Sequence, residues 1–289
     1  MAASELGRRV AFGLVAAPLA ILVVYLGDAP LAALLAIASA LAAWEFYRIA
    51  ETASYAPLSR LGTVVAALVP LSVHAIYLGL LTLPLPWLAG IVLFIFAGAL
   101  LTRGPADHPI GATATTVLGI VYTGGMLSFG YALRYHPYAV GRLAGATLLV
   151  FPVLLTWTSD TGGYFVGRAF GRRRLMPSVS PGKTVEGALG AMLLCVLMAW
   201  AYVRWVLVPF AHLSISPGRV VIFALIVGAA AQVGDLCESL IKREAGVKDS
   251  SRIIPGHGGV LDRLDGMIFA LPVAQLMLTL PHFLQPAIR

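Results

Sequence analysis

The chain has 289 residues, of which 59% are hydrophobic and 11% charged, and its mean hydropathy is +0.89. A water-soluble domain carries about 25% charged residues, so this composition excludes a soluble globular protein and leaves no stretch polar enough to fold as a separate soluble domain. The net charge of +7 does not signal nucleic acid, because the basic residues sit in short joints between apolar spans and form no stripe interleaved with aromatics.

Apolar runs close to the length needed to cross a bilayer recur from end to end. They cover 10–27, 30–48, 61–80, 84–102, 112–133, 143–165, 187–208, 220–241 and 266–284. Arg8 and Arg9 precede the first run in the manner of a signal peptide. That run is long enough to span, and "GDAPLAAL" offers no small-x-small cleavage site before Pro30, so a retained first helix is expected. The fifth run contains "ATATTVLGIVYTGG", rich in Thr and Gly. The joints "GDAP", "LPLP", "RGPADHP" and "PFAHLSISPGR" carry the Gly, Pro and charge of chain turns. Cys195 and Cys237 fall inside apolar runs with no CxxC or Cys/His spacing and read as packing residues. The expectation is an all-α polytopic integral membrane protein with about nine transmembrane helices. Residues 1–142 supply about five of them, and 143–289 form a catalytic region.

With the N-terminus placed in the cytoplasm, all of the 20 Lys and Arg fall inside except Arg134, Arg142, Arg204, Arg219 and Arg289, as the positive-inside rule favours. The two longest polar stretches, 166–186 and 242–265, are then both inside. Any chemistry is expected there, at the cytoplasmic face.

Three carboxylate-bearing segments stand out. In the eighth run Gln232, Asp235, Glu238, Ser239 and Lys242 share one helical face. A carboxylate within a span costs several kcal/mol unless it pairs, binds a cation or meets water. An i, i+4 ion pair of Glu238 with Lys242 is one alternative; for Asp235, beside Gly234, a site facing a wet cavity fits better. In the sixth run Thr156, Ser159, Asp160, Gly163 and Gly167 follow helical spacing. The two glycines there serve either a small-xxx-small helix contact or a substrate. The third segment is "RIIPGHGGVLDRLDG", 252–266, where Asp262 and Asp265 share a side of the first turn of the last helix. They read as helix caps or as ligands, and the glycine loop before them as a phosphate cradle or a plain turn.

Oxygen-only donors with no Cys and one nearby His suggest a hard divalent cation, Mg²⁺ before Zn²⁺, and the Lys and Arg around them suggest a polyphosphate. The residues alone point to phosphoryl or nucleotidyl transfer at the cytoplasmic membrane surface. "SPGKTVEG" carries the Gly-Lys-Thr of a P-loop, but Pro177 stands where the first glycine is required, and no strand is expected upstream. An ion-coupled transporter is the alternative outside enzymes. Its polar path would have to continue across the membrane, whereas these stripes gather at one face.

"SLIKREAGVKDSSRIIPGHGGVLDRLD", 239–265, resembles the signature of the phosphatidate cytidylyltransferase family, the CDP-diacylglycerol synthases. The matching positions are Ser239, Lys242, Arg243, Lys248, Asp249, His257, Gly258, Gly259, Asp262, Arg263 and Asp265. Upstream, "SDTGGYFVGRAFGRRRLMPSVSPGKTVEG" is similar to the family's S-D-T and S-P-x-K-T-x-E-G elements, through Ser159, Asp160, Thr161, Lys183, Thr184 and Glu186. Gly163 stands where alanine is more usual and Val185 where a larger residue is frequent. The resemblance covers about residues 155–270. It implies transfer of the cytidylyl group of CTP to phosphatidate, with CDP-diacylglycerol and pyrophosphate as products, Mg²⁺ as cofactor (one cation or two), and a site in the plasma or inner membrane. A CTP-dependent lipid or prenol kinase is the nearest alternative.

On this resemblance Asp235, Asp262 and Asp265 are the metal-site carboxylates, with Asp160 and Glu238 in support. Lys183, Lys242, Arg243, Lys248 and Arg263 hold phosphates, and Ser159, Thr184 and Ser239 donate hydrogen bonds. His257 contacts phosphate or fixes the loop. The lipid bilayer is the remaining partner, and a homodimer is compatible with these features without being required by them.

Overall fold

The computed structural model describes residues 16–82, 85–253 and 258–287. The expectations attached to Arg8, Arg9, positions 10–15, His257 and Arg289 lie outside the described residues. Among the described residues nine α-helices follow one another: α1 Ala16–Leu26, α2 Asp28–Thr52, α3 Ser59–Tyr77, α4 Leu85–Thr102, α5 Pro109–Arg134, α6 Gly141–Phe170, α7 Val185–Ala211, α8 Pro217–Glu244 and α9 Leu261–Leu278. Each expected apolar run coincides with one of them. Six, namely α2, α3, α5, α6, α7 and α8, are long and apolar enough to cross a membrane. The protein is a polytopic membrane protein. Leu189, Leu193 and Leu197 of α7, spaced by one helical turn, are all exposed. An apolar face of that kind is at home against lipid chains.

Helices α6, α8 and α9 differ from expectation in their bounds. Helix α6 continues to Phe170, α8 runs to Glu244, and α9 opens at Leu261 and ends at Leu278, so both polar loops are shorter at their ends than the apolar pattern implied. Charged side chains continue a helix as readily as apolar ones once its backbone bonds propagate, and hydropathy does not register them. The all-α expectation is also qualified by four short strands. β1 Arg174–Met176 pairs antiparallel with β2 Ser180–Thr184 inside the loop 166–186, and β3 Leu213–Ser214 pairs with β4 Gln285–Pro286. Gly182-Lys183-Thr184 therefore lies within a hairpin strand. A P-loop would place it between a strand and a helix, so its exclusion stands, although the expected lack of a strand upstream does not.

By contacts the chain divides into two compact units. The first comprises 1–23, 28–131 and 241–264, and the second 24–27, 132–240 and 265–289. The polar stretch 242–265 thus groups almost entirely with the N-terminal helices.

In the first unit, α2 is rich in alanine, and Ala42 and Ala43 are fully buried, which lets neighbouring backbones come close. Tyr47 fills the space left by Gly62 and Gly119, and its hydroxyl donates to the Thr116 carbonyl at 2.7 Å. The Thr-rich α5 is a helix because its hydroxyls serve its own backbone. Thr113, Thr116 and Thr123 each donate to the carbonyl four residues earlier, which removes the cost of carrying a hydroxyl into an apolar medium. A π-helical segment at Ile120–Gly125 brings Gly124 against the backbone of Ala66, where a Cβ would overlap the Ala66 carbonyl oxygen. In the second unit the core is aromatic: Phe151 stacks on Tyr202 and Phe223, with centroids 4.7 and 4.8 Å apart.

Candidate active site

In the first unit the polar centre is Asp262, in the first turn of α9. Its Oδ1 accepts from Lys242 Nζ at 2.7 Å, and the two side chains are only 9% and 11% exposed. Its Oδ2 accepts from Gly259 N at 2.8 Å, Ser250 Oγ at 2.9 Å and Ser250 N at 3.0 Å. Lys242 therefore reaches across the loop to Asp262. Asp262 does more than cap a helix, because it ties the end of α8 and both sides of the loop to the first turn of α9.

A second carboxylate converges on the same loop, and sequence reasoning missed it. Glu45 of α2 is fully buried. Its Oε1 accepts from Ser251 Oγ at 2.5 Å and Val260 N at 2.9 Å, and its Oε2 from Leu261 N at 2.7 Å and Ser250 Oγ at 2.8 Å. The signal was present in "LAAWEFYRIA", as a lone carboxylate inside an apolar run. The same contacts occupy amides of the glycine loop, read from sequence as a phosphate cradle or a plain turn. The amides of Gly259, Val260 and Leu261 serve Asp262 and Glu45, so the anions at this helix N-terminus are the protein's own carboxylates. Gly258 takes the positive φ of +83° that such a turn requires.

In the second unit the centre is Asp235 on α8, which is ion-paired with Lys183 of β2, each side chain 28% exposed. Ser239 makes a long hydrogen bond of 3.4 Å to Asp235 Oδ1, and Gln232 donates to the Ala188 carbonyl at 3.3 Å. The hairpin that presents Lys183 is held by two neighbours from the same motif. Thr184 caps α7 by accepting from Gly187 N at 3.1 Å, which leaves its hydroxyl proton to donate. Glu186 Oε2 accepts from Arg172 N at 2.9 Å and Arg173 N at 3.2 Å. Gly163 and Gly167 lie against Gly187, where a Cβ would meet the Gly163 carbonyl at 2.8 Å and Gly167 Cα at 3.0 Å, so the helix-contact reading of these two glycines holds. Gly234 admits the Asp265 backbone in the same way. Asp265 Oδ1 accepts from Gly266 N at 2.7 Å.

The remaining sequence-marked residues divide by exposure. Asp160, Thr161, Arg243, Lys248, Asp249 and Arg263 are exposed, and Arg243 also holds the Val247 carbonyl at 3.1 Å. Ser159 and Glu238 are buried, at 2% and 0% exposure. Ser159 faces Cys195, whose thiol donates to the Leu155 carbonyl at 3.4 Å. This leaves Cys195 a packing residue, as expected.

A lysine held by an aspartate recurs in each unit, on motifs that carry most of the chain's loop charge. The sequence profile of the cytidylyltransferase family matches residues 7–280. The chain belongs to the cytidylyltransferase family. It is similar to proteins named phosphatidate cytidylyltransferase in three bacteria. That of Haemophilus influenzae is 42% identical over 144 residues, 48% of each chain. That of Staphylococcus saprophyticus is 39% identical over 165 residues, 57% of this chain and 58% of the relative. That of Bacillus subtilis is 37% identical over 136 residues, 47% and 49% of the two chains. The matched part of this cytidylyltransferase-family chain thus spans about half of each relative's length.

Among the described residues no three of His, Cys, Asp and Glu gather into a metal cage. Mg²⁺ does not demand one. It keeps several waters and takes one or two carboxylates together with substrate phosphates. Asp235 and Asp262, each already holding a cationic ammonium, are carboxylates of that kind, so the donor chemistry fits.

Proposed function

We propose that this chain is a phosphatidate cytidylyltransferase that transfers the cytidylyl group of CTP to phosphatidate, giving CDP-diacylglycerol and pyrophosphate. The Lys242–Asp262 pair, set in the motif of a chain whose family match runs over residues 7–280, carries this reading. The bilayer placement belongs to the same proposal: nine helices in the membrane, the N-terminus and the site on the cytoplasmic face of the plasma or inner membrane. The asymmetric distribution of Lys and Arg supports it.

A phosphatidate oxygen attacks the α-phosphorus of CTP, the new P–O bond forms, and the bond to the β-phosphate oxygen breaks with its electrons leaving on pyrophosphate. The attacking phosphate is already anionic near pH 7, so no strong general base is required. The task is to hold two anions together in line and to neutralise their charge. Lys183 and Lys242 are the ammonium groups we assign to the phosphates, with Arg243, Lys248 and Arg263 at the exposed rim. Thr184 and Ser239 supply hydroxyl donors. Asp235 and Asp262 are the hard donors for Mg²⁺, with Asp265 in support. When bound, Mg²⁺ supplies charge neutralisation of the triphosphate and of the leaving pyrophosphate.

The decisive assay uses purified protein with CTP, Mg²⁺ and phosphatidate, scored for pyrophosphate and CDP-lipid. Both products are expected. Release of CDP without CDP-lipid would mark a kinase and overturn the proposal.

A further inference from the structure

We infer that Glu45 is a positioning residue for Asp262 and acts on it through the loop that both carboxylates share. The inference deepens the proposed function and rests on it. Glu45 takes hydrogen bonds on both oxygens, two from serine hydroxyls and two from the amides of Val260 and Leu261 where α9 begins. The N-terminus of a helix attracts an anion through its unpaired N–H groups and its dipole. Here a carboxylate from α2, 216 positions upstream of Leu261, meets that demand from inside the protein.

The loop groups that face Glu45 are interleaved with those that face Asp262. Ser250 Oγ lies 2.8 Å from Glu45 Oε2 and 2.9 Å from Asp262 Oδ2. It has one proton to donate and two carboxylates to receive it. Gly259 donates to Asp262 Oδ2, while Val260 and Leu261, the next two residues, donate to Glu45. A Cβ at Gly259 would overlap Ser250 Oγ and come within 2.5 Å of Glu45 Oε2, so the loop closes on Glu45 only because glycine is there. Apart from Lys242, the partners described above for Asp262 all lie on the segment that Glu45 anchors. Loss of Glu45 frees this segment first and the direction of the Asp262 carboxylate with it.

Glutamine at position 45 would be a pointed replacement. It keeps the shape but turns one acceptor oxygen into an NH₂ group aimed at a backbone N–H and a serine hydroxyl, while Ser251→Ala removes only one of the four bonds. The test uses the full chain in lipid nanodiscs, with Glu45→Gln, Ser251→Ala, Asp262→Asn and the double variant Glu45→Gln/Asp262→Asn. Amide exchange across 250–262 and steady-state kcat and KM are measured for each. For Glu45→Gln, exchange at Val260 and Leu261 rises at least about tenfold and kcat falls at least about tenfold, with KM for phosphatidate unchanged. Ser251→Ala shifts both in the same direction by less. In the Asp262→Asn background Glu45→Gln costs no further activity, because residues that act as one unit are not additive. A purely structural glutamate would add its own loss to the double variant, and that result overturns the inference. So does faster exchange with unchanged kcat, or unchanged exchange. If Glu45→Gln does not fold, Ser251→Ala decides on the same criteria. A wild-type chain that makes no CDP-lipid defeats the proposed function instead, and exchange across 250–262 still decides whether Glu45 holds the loop.

Discussion

Lys242 Nζ lies 2.7 Å from Asp262 Oδ1, with both side chains about nine-tenths buried. A half-buried aspartate at a helix start would ordinarily be a cap worth about 1 kcal/mol. This one satisfies an ammonium, a hydroxyl and two backbone amides at once. Breaking a buried pair by removing one partner costs about 3–5 kcal/mol, because the other charge is left uncompensated.

Asp262→Asn therefore affects stability as well as rate. Whichever way the amide turns, its NH₂ group faces a donor: Lys242 on one side, or Ser250 and Gly259 on the other. We expect activity to fall at least about 10²-fold, comparable to loss of one key transition-state contact, with a lowered thermal midpoint in detergent. CDP-lipid formation and a melting curve check both. Near-wild-type turnover would reduce Asp262 to a structural tie.

Lys183→Met gives the opposite pairing of effects. The Lys183–Asp235 ion pair is more than a quarter exposed, and such pairs contribute about 0–1 kcal/mol. The thermal midpoint is expected to stay within a few degrees while kcat/KM for CTP falls at least about tenfold. Retention of full kcat/KM would remove Lys183 from the phosphate site.

Gly259→Ala and Gly218→Ala separate a crowded glycine from an open one. At Gly259 the new methyl meets Ser250 and Glu45, whereas at Gly218, in the first turn of α8, nothing lies within 4 Å. Gly259→Ala is expected to lower the thermal midpoint and abolish activity. Gly218→Ala should be neutral or stabilising by up to about 1 kcal/mol, the helix preference of alanine over glycine. Equal melting curves for the two variants would contradict the packing described for the loop.

Stability should fall on mild acidification through His136, in the turn between α5 and α6. Burial holds its imidazole below the ordinary value, and Nδ1 accepts from Tyr138 N at 3.3 Å, which requires a ring with no proton on that nitrogen. Folding thus favours the neutral form. Its contribution is complete above the unfolded pKa of about 6.5 and is lost as pH falls toward the lower folded value, because the unfolded chain takes up the proton first. His136→Gln should flatten this acid limb in a plot of melting temperature against pH. An unchanged limb would assign the effect to other groups.

Membrane orientation is open to a labelling test at Ser178, which is exposed beside the β1–β2 hairpin. In a background with Cys195 and Cys237 replaced by alanine, Ser178→Cys should react with an impermeant maleimide only from the cytoplasmic side. Labelling from outside would invert the proposed topology.

The sequence by itself determined the helices and the polar positions they carry. Every apolar run became a helix, including the Thr-rich fifth, because in a chain with so little charge the backbone has no better way to satisfy its own hydrogen bonds in lipid. The helical stripe through Asp235, Ser239 and Lys242 and the motif around Asp262 were equally legible, since spacing along one element is a local property. Only the tertiary structure decided which carboxylate meets which cation. Lys242 reached across the loop to Asp262, and the amides of Val260 and Leu261 took Glu45 as their anion. These choices depend on side chains brought together from distant parts of the chain. Glu45 in particular shares no local pattern with the loop it holds, and only packing α2 against the start of α9 puts its carboxylate where those amides need one.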